Sequence, residues 1–533
     1  MKFQCTTCDI EADSKNDEKF HLCKQHNHEL MAMSNGDEEK RTTLPKQHTK
    51  TIVKKIKGTV GNYFVESILV DGKPCFLCTI KDENTLVLKE NIQLDSIIYT
   101  PLSQDECGYL PYSFSSSEII GLIGSDISKD ELLIEIKEQI DRFINAREID
   151  KHLILGDLFL TYCQEWISTL HYPYFVGETE SGKSSALHLV KQLGYRTLYG
   201  EDIPHADIYN FLGTDEEGTG TIAEDEAQDL WQNREKIRTY KGSYAKGSVK
   251  ARVLILHNKK IQVYYKTFCP KWFAGEKIPL DKGFLERLAV IHMTEGEPKS
   301  NIKRLTQEEE EQLRQLRNRL LVWKIQNIFK GILRIDSGLK QRDQELWEDF
   351  LSVVHGTKFY DKCQRVVTYY IEQRHQVIRN SLEAKVFKLI IDKLNQGLEI
   401  NFLDFWDYIT KDNSYLPGKL DESRAKTFYP EDFSYKITPQ SLAKIFEDKF
   451  QACKKQKRIR DEDGVQRQTS CYAFKKDVTE KLAKKYGINI PLDSPIYVSQ
   501  LGAHGALQDN SDDQVDIVDQ PNTSIPNEEN ENE

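Results

Sequence analysis

No apolar run in these 533 residues approaches the roughly 20 needed to cross a bilayer, so a membrane-spanning helix is not expected. An apolar leader is missing as well. Cys5, Cys8, Asp9 and Glu11 stand where the hydrophobic core of a signal peptide belongs. Nor is there a disulfide framework: the 11 cysteines fall singly or as C-x-x-C pairs, which suits a reducing, cytoplasmic setting. Internal repeats are absent. Basic residues are absent from residues 509–533, which hold five Asp and four Glu. That tail carries nine of the negative charges in the formal total of −11 and leaves −2 for the rest, so an acidic total does not exclude nucleic acid.

With 39% hydrophobic and 29% charged residues, the chain reads as a soluble, mainly folded protein of three or four domains. Residues 1–30 carry a Cys/His cluster and 31–50 a polar linker. Residues 51–125 alternate short β-like runs with Asp-Gly-Lys-Pro and Lys-Asp-Glu-Asn turns, which predicts a small sheet domain. Between 126 and 335, helical segments lead into alternating strands and helices, the pattern of an α/β core with a parallel sheet and flanking helices. Residues 336–496 read as helices followed by a hairpin, and 497–533 as a disordered acidic tail.

The most specific motif lies in the α/β segment. A short apolar strand runs into Gly177-Glu178-Thr179-Glu180-Ser181-Gly182-Lys183-Ser184-Ser185, a complete G-x-x-x-x-G-K-S phosphate loop followed by a helix. Its two glycines permit the turn that aims backbone N–H groups at a β-phosphate. Lys183 reaches the β and γ oxygens, and the Ser184 hydroxyl ligates magnesium. The helix that follows presents its positive N-terminal end to the anion. An ATPase also needs an acidic pair at the end of a second strand, and residues 219–228 supply one: Asp225 for the metal and Glu226 for water activation. The same residues could form an acidic loop without a catalytic role. Glu224 is anomalous, because its position normally belongs to a buried apolar strand. Farther on, 267–279 reads as another core strand and 284–293 as a short segment ending in a final strand.

Residues 177–185, the Asp225-Glu226 pair, the run Lys241-Gly-Ser-Tyr-Ala-Lys-Gly-Ser-Val-Lys-Ala-Arg, Pro270-Lys-Trp-Phe-Ala-Gly and Leu285-Glu-Arg-Leu together resemble helicase-like P-loop ATPases. The similarity is to the AAA+ related ATPases encoded with primases on phages, plasmids and archaeal mobile elements, and it covers about 131–298. It implies a ring-forming, magnesium-dependent ATPase acting on DNA. It also implies that Arg287, just before the last core strand, reaches the γ-phosphate of a neighbouring subunit. A surface salt bridge with Glu286 is the plainer alternative for Arg287. In such proteins the basic stretch before the last core strands contacts nucleic acid, which points to Lys241, Lys246, Lys250 and Arg252; a solvated basic face is the alternative. Glu276 and Lys277 are the candidates for a polar sensor residue.

Two further segments are candidate nucleic-acid modules, the first suited equally to binding a protein, since a single finger reads only about three base pairs. Cys5, Cys8, His21 and His26 give C-x2-C-x12-H-x4-H, the spacing of a two-Cys, two-His zinc finger, with Phe3 two residues before the first cysteine. Cys23 or His28 could substitute as a ligand, and Ala12 and Glu18 leave the finger a thin core. The other pair, Cys75 and Cys78, sits on a strand without partners and reads as apolar packing. Near the C-terminus, helices over 382–394, 402–409 and 437–450 precede a hairpin of 452–460 and 466–474, the order of a winged helix. That hairpin carries Lys454, Lys455, Lys457, Arg458, Arg460 and Arg467, suited to phosphate contact, although charged hairpins also serve simply as soluble sheet edges.

The sequence therefore predicts an α/β P-loop NTPase core with a small zinc finger, a β-rich domain and a C-terminal winged helix. The expected activity is ATP hydrolysis coupled to DNA by a homo-oligomeric ring, with ATP, magnesium and zinc bound and no membrane partner. The alternative is a DNA-binding regulator whose ATPase acts as a slow switch. A small-molecule P-loop enzyme fits less well, because no second substrate pocket is evident.

Overall fold

The computed structural model describes residues 3–5, 11–12, 30–32, 51–83, 85–103, 105, 111–216, 218–256, 259–279, 281–411, 416–421, 427–430, 436–460 and 466–490. The chain divides into two units, residues 1–128 with 317–331, and residues 129–316 with 332–533. The helix Gln307–Asn327 carries the chain from the second unit into the first.

The first unit is built on a hairpin of Tyr63–Val70 and Lys73–Ile80, antiparallel over their full length. Its turn is Asp71-Gly72 with φ of 48° and 74°, the left-handed pair that a two-residue hairpin turn requires. Leu86–Lys89 extends the sheet on one side, and Lys57–Val60 and Ser113–Phe114 extend it on the other. Cys75 and Cys78, three apart on one strand, point to opposite faces. Burial among Val60, Val65, Phe76 and Ile92 pushes the Cys78 thiol up to about 12, so it stays protonated. A second sheet joins Thr51–Lys55, Ile97–Pro101 and Ile92–Leu94. The returning segment is tied in through Asn318, which donates to the Ser113 carbonyl at 2.8 Å, and Thr79, which donates to the Ile325 carbonyl at 2.5 Å. Phe3–Cys5 pairs with Glu11–Ala12 and Leu30–Ala32. The other proposed zinc ligands, Cys8, His21, Cys23, His26 and His28, lie outside the described residues, as does the acidic tail.

The second unit begins with helices α1 (Lys129–Phe143) and α2 (Glu148–Leu160) and then forms a five-stranded, wholly parallel sheet. Its strands are β1 (Tyr172–Val176), β2 (Thr197–Glu201), β3 (Thr221–Asp225), β6 (Lys271–Gly275) and β7 (Leu288–His292). Between them lie helices α3 (Lys183–Leu193), α4 (His205–Leu212) and α5 (Arg234–Gly242), and a two-stranded hairpin of β4 (Val249–Leu256) and β5 (Lys259–Lys266). Every residue of β1, β3 and β6 is buried, as expected for parallel strands covered on both faces. The strand order is β2-β3-β6-β1-β7. Thus β6 separates the strand that enters the glycine-rich loop from the strand that ends in Asp225, and all five carboxyl ends share one edge.

Glu224 does not interrupt β3. It is 1% exposed and ion-paired to the equally buried Lys236 of α5, and the Tyr240 hydroxyl donates to its other oxygen at 2.7 Å. The carboxylate is therefore paired inside the core and ties β3 to α5.

Helices α6 (Gln341–Val354) and α7 (Tyr360–Arg379) pack on α2, where Asp150 receives Arg147 at 2.7 Å and the Tyr370 hydroxyl at 2.6 Å. The C-terminal part runs α8 (Leu382–Asn395), β8 (Ile400–Asn401), α9 (Phe402–Lys411), α10 (Pro439–Lys444), β9 (Cys453–Arg460) and β10 (Gln466–Ala473). Its sheet order is β8-β10-β9, and α8, β8, α9, α10 and β10 close on one apolar cluster that includes Phe387, Trp406, Leu442, Phe446 and Tyr472. Thr438 caps α10 in a reciprocal box with Ser441, and Pro439 takes the first helical position.

Candidate functional site

The glycine-rich loop follows the last residue of β1, and α3 begins at Lys183. Two of its backbones are left-handed, Glu180 at φ 66° and Gly182 at φ 88°. A side chain on Gly177 would collide with the Met293 carbonyl and the Ser181 hydroxyl, both 2.6 Å from where a Cβ would sit, so only glycine fits this turn. Lys183 is 9% exposed, and its ammonium donates to the carbonyls of Gly177 at 2.7 Å and Glu178 at 2.6 Å. No carboxylate among the described residues neutralises it. The Ser181 hydroxyl is buried in the same turn without a hydrogen-bond partner. A nearly buried cation, an orphaned hydroxyl and the N-terminus of an eleven-residue helix at one point form a cradle for an anion.

At the same edge, β3 delivers Asp225, 4% exposed. The Tyr199 hydroxyl on neighbouring β2 lies 3.4 Å from His188 Nε2 on α3, and burial together with the nearby Asp225 charge raises its pKa. Glu226 follows with φ 55° and ψ 33°, a left-handed conformation that costs a non-glycine residue about 1 kcal/mol. The turn frees its side chain from the sheet and leaves it exposed. Gln228 then links three parts of the site. Its amide nitrogen donates to Glu226, and its amide oxygen accepts from the Glu276 backbone at 3.2 Å. The Glu276 carboxylate in turn accepts from the Thr179 hydroxyl of the loop at 3.1 Å. Gly275 at the end of β6 makes room for this, since a Cβ there would lie 2.6 Å from the Gln228 amide oxygen. Loop, acid pair and the end of β6 thus form one hydrogen-bonded set. Gln228 and Tyr199 were not singled out from the sequence, because neither belongs to a motif.

Arg287 is elsewhere. Its carbonyl accepts from the backbone N–H of Tyr172, the first residue of β1, whereas the loop follows the last, Val176. Four residues of strand, about 13 Å, separate the two ends, so Arg287 stands at the edge opposite its own loop. Lys277, the other sensor candidate, is exposed just past β6, and its carbonyl accepts from the Tyr174 hydroxyl at 2.7 Å.

The four basic residues proposed around the hairpin divide into two pairs. Lys241 at the end of α5 is held by Asp281 at 3.1 Å, and Lys246 folds onto the Glu165 carbonyl at 2.8 Å. Lys250 and Arg252 lie on β4, the first 3.5 Å from Glu235 and the second 4.9 Å from the Tyr209 ring. The opposite face of this hairpin carries Val253 and Ile255, 60% and 71% exposed, with Tyr264 beside them. Both roots of the hairpin are held by Lys271. This lysine is 1% exposed and donates to the carbonyls of Ser243 at 3.5 Å, Thr267 at 3.4 Å and Cys269 at 2.9 Å. In the C-terminal hairpin, Lys457 pairs with Glu399 at 2.6 Å and Lys454 with Glu447 at 3.4 Å. Lys455 and Arg458 are exposed and without a carboxylate partner among the described residues. Arg460 is the last residue of β9, and Arg467 lies on β10.

Groups of three or more metal-ligating side chains are absent among the described residues, and no described helix is long and apolar enough to cross a membrane. No protein-family model matches the sequence, and no curated protein matches it. Among solved structures, the chain is similar to two of the apo C-terminal region of NrS-1, at 13% and 11% identity with TM-scores of 0.32 and 0.31. Each comparison covers 77% of this chain and 96% of the other. Values this low assign neither a fold nor an activity.

Proposed function

We propose that the protein is a magnesium-dependent ATPase of the helicase-like class that acts on DNA as a homo-oligomer. The observation that carries this reading is the convergence of the Lys183 loop and the Asp225-Glu226 pair on one edge of a parallel sheet. Ligands of open α/β sheets bind at that edge, outside the carboxyl ends of the strands. The donors fit a nucleoside triphosphate: Lys183 lacks a carboxylate partner among the described residues, Ser181 has an unused hydroxyl, and the α3 N-terminus adds a positive field. Ser184 and Asp225 would hold magnesium, which supplies charge neutralisation on the phosphates.

Within this reading Glu226 orients the attacking water and accepts its proton, while Gln228 fixes the carboxylate against the Thr179–Glu276 contact. Arg287, at the far edge of its own sheet, serves the site of a neighbouring copy. The β4–β5 hairpin and the C-terminal module are the DNA-facing elements. The latter we read as a winged helix, with β9 and β10 as the wing and Lys455 and Arg458 free for phosphate. The Cys5-Cys8-His21-His26 segment is read as a zinc site.

ATP hydrolysis measured with and without single-stranded DNA, alongside strand displacement on a partial duplex, tests the proposal. Expected are DNA-stimulated hydrolysis and displacement, both lost in Lys183→Ala. Hydrolysis indifferent to any nucleic acid would contradict the DNA assignment. Nucleotide-dependent DNA binding without displacement would favour a regulatory switch.

A further inference from the structure

The C-terminal module leaves one sheet edge open. In the order β8-β10-β9, strand β9 pairs with β10 over all eight of its residues, and its other edge pairs with no described strand. Open edges invite further strands, and proteins guard them with charge. Here the guard has one sign: Cys453–Arg460 holds Lys454, Lys455, Lys457, Arg458 and Arg460 and no acid. Side chains alternate along a strand, so Lys454 and Arg458 take one face and Lys455 and Lys457 the other. Lys454 and Lys457 have Glu447 and Glu399 as partners. Arg458 and Lys455, one on each face, are exposed and meet no carboxylate among the described residues. Such an edge repels a copy of itself and accepts an acidic strand.

The chain itself carries an acidic segment of strand-forming type, outside the described residues. Asp512-Asp513-Gln514-Val515-Asp516-Ile517-Val518-Asp519 combines four acids with three β-branched residues and contains no Pro, Gly or Asn. Laid out as a strand, it puts Asp513 and Asp519 on one face and Asp512 and Asp516 on the other, so both faces oppose cations of β9. The rest of the tail differs. Residues 520–533 are broken by Pro521 and Pro526 and hold four Asn, a composition that strands disfavour. Reach is sufficient as well: Ile490 packs against the same apolar cluster as Ala452, the residue before β9. The 21 residues 491–511 span up to about 70 Å, against roughly 26 Å for the length of an eight-residue strand. Because segment and edge share one chain, they meet at high effective concentration and weak contacts suffice.

From these observations we infer that residues 512–519 add as a strand to the open edge of β9, held by main-chain hydrogen bonds and by their aspartates on Lys455 and Arg458. The docking stands apart from the ATPase reading. Its consequence rests on the DNA reading: the segment covers the two cations assigned to phosphate, so DNA has to displace it.

The test uses the full chain as wild type, as Ile517→Pro, which keeps every charge but blocks strand pairing, and as a variant with Asp512, Asp513, Asp516 and Asp519 all changed to Asn. A zero-length carbodiimide couples touching carboxylates and lysines in the absence of DNA, and peptide mass spectrometry locates the bonds. Lys457 and Glu399, 2.6 Å apart, are the internal standard. Mixing isotope-labelled with unlabelled chains tells bonds within one copy from bonds between copies. Wild type is expected to join Lys455 to the aspartates of 512–519 within one copy, and the yield should fall at least about fivefold in Ile517→Pro, as the loss of a main-chain hydrogen bond implies. The bond should be absent in the Asn variant, and lost from wild type at about 1 M salt, where the Debye length is about 3 Å. No bond at Lys455, equal yields from Glu528, Glu529, Glu531 and Glu533, an unchanged yield in Ile517→Pro, or bonds only between copies would each overturn the inference. Single-stranded DNA binding at low salt reads the consequence: Ile517→Pro should bind at least about threefold more tightly than wild type, and equal affinity would overturn the competition. A tail that cross-links in a protein of which no form binds DNA would instead overturn the DNA reading.

Discussion

Glu224 shows how a single residue can mislead a sequence reading and then be explained by its surroundings. A carboxylate in the middle of a core strand is costly unless paired, and a strand that ends Glu-Asp-Glu looks like a loop. What cannot be read from the sequence is Lys236, twelve positions later, which α5 brings against it while Tyr240 fills the remaining acceptor. The pairing makes a sharp prediction. Lys236→Met leaves a buried carboxylate alone and should lower stability by about 3–5 kcal/mol, whereas Glu224→Leu combined with Lys236→Met should recover most of that loss. Chemical denaturation of the three proteins decides it, and equal stability of the single and double variants would contradict a paired core. Gln228 and Tyr199 were illegible for the opposite reason. Nothing about an isolated glutamine or tyrosine marks it until the strand order places it beside Glu226 or Asp225.

At the level of elements, the hairpin Tyr63–Val70 to Lys73–Ile80, the glycine-rich loop between β1 and α3, and the cap of α10 were all legible. Each depends on neighbours in sequence: a two-residue turn, a motif, a Thr-Pro-x-Ser box. The β4–β5 hairpin was not, because Lys250 and Arg252 alternate with Val253 and Ile255 and the segment reads as a basic stretch. Its clamp, Lys271, lies beyond the hairpin itself. Two predictions belong here. Helices α1 and α2 are joined by Lys137 between Asp141 at 2.7 Å and Glu148 at 2.9 Å, with Lys151 adding a second bond to Asp141 at 2.9 Å. Burial raises the Asp141 carboxyl, but the hydrogen bonds from Lys137 and Lys151 outweigh it and hold it below its ordinary value. A depressed carboxyl contributes stability that is present above its unfolded pKa, about 3.9, and is lost as pH falls through the folded value. Since the group is a third exposed, solvent screening limits the effect to about 0.5 kcal/mol. Asp141→Asn should therefore flatten the loss of thermal stability below pH 4, and an unchanged pH profile would contradict the bridge. In the C-terminal hairpin, Lys455→Ala with Arg458→Ala should weaken single-stranded DNA binding and reduce the slope of log affinity against log salt by roughly 0.7 for each phosphate no longer neutralised. The same change at the carboxylate-paired Lys454 and Lys457 should do less.

For the whole molecule, charge and connectivity matter more than any one side chain. The helix Gln307–Asn327 belongs to two units, a division that its sequence pattern does not announce, because long-range packing and not local periodicity sets it. The acidic residues 509–533 carry nine negative charges. On the DNA-binding reading they compete with a phosphate backbone for the same cations. Removing them should strengthen DNA binding several-fold at low salt, and the gain should shrink as salt shortens the Debye length to about 8 Å. Equal affinity of both forms at low salt would contradict that role. The deepest inference remains the chemistry at the carboxyl edge of the sheet, where Lys183 and the Asp225-Glu226 pair come from two separate segments. The most direct measurement is ATP hydrolysis by Glu226→Gln beside wild type, with nucleotide binding measured on the same samples. A carboxylate that orients water in the reaction predicts a rate at least about a hundredfold lower with binding intact. A Glu226→Gln protein that hydrolyses ATP at the wild-type rate would contradict the assignment of this edge as the site of hydrolysis.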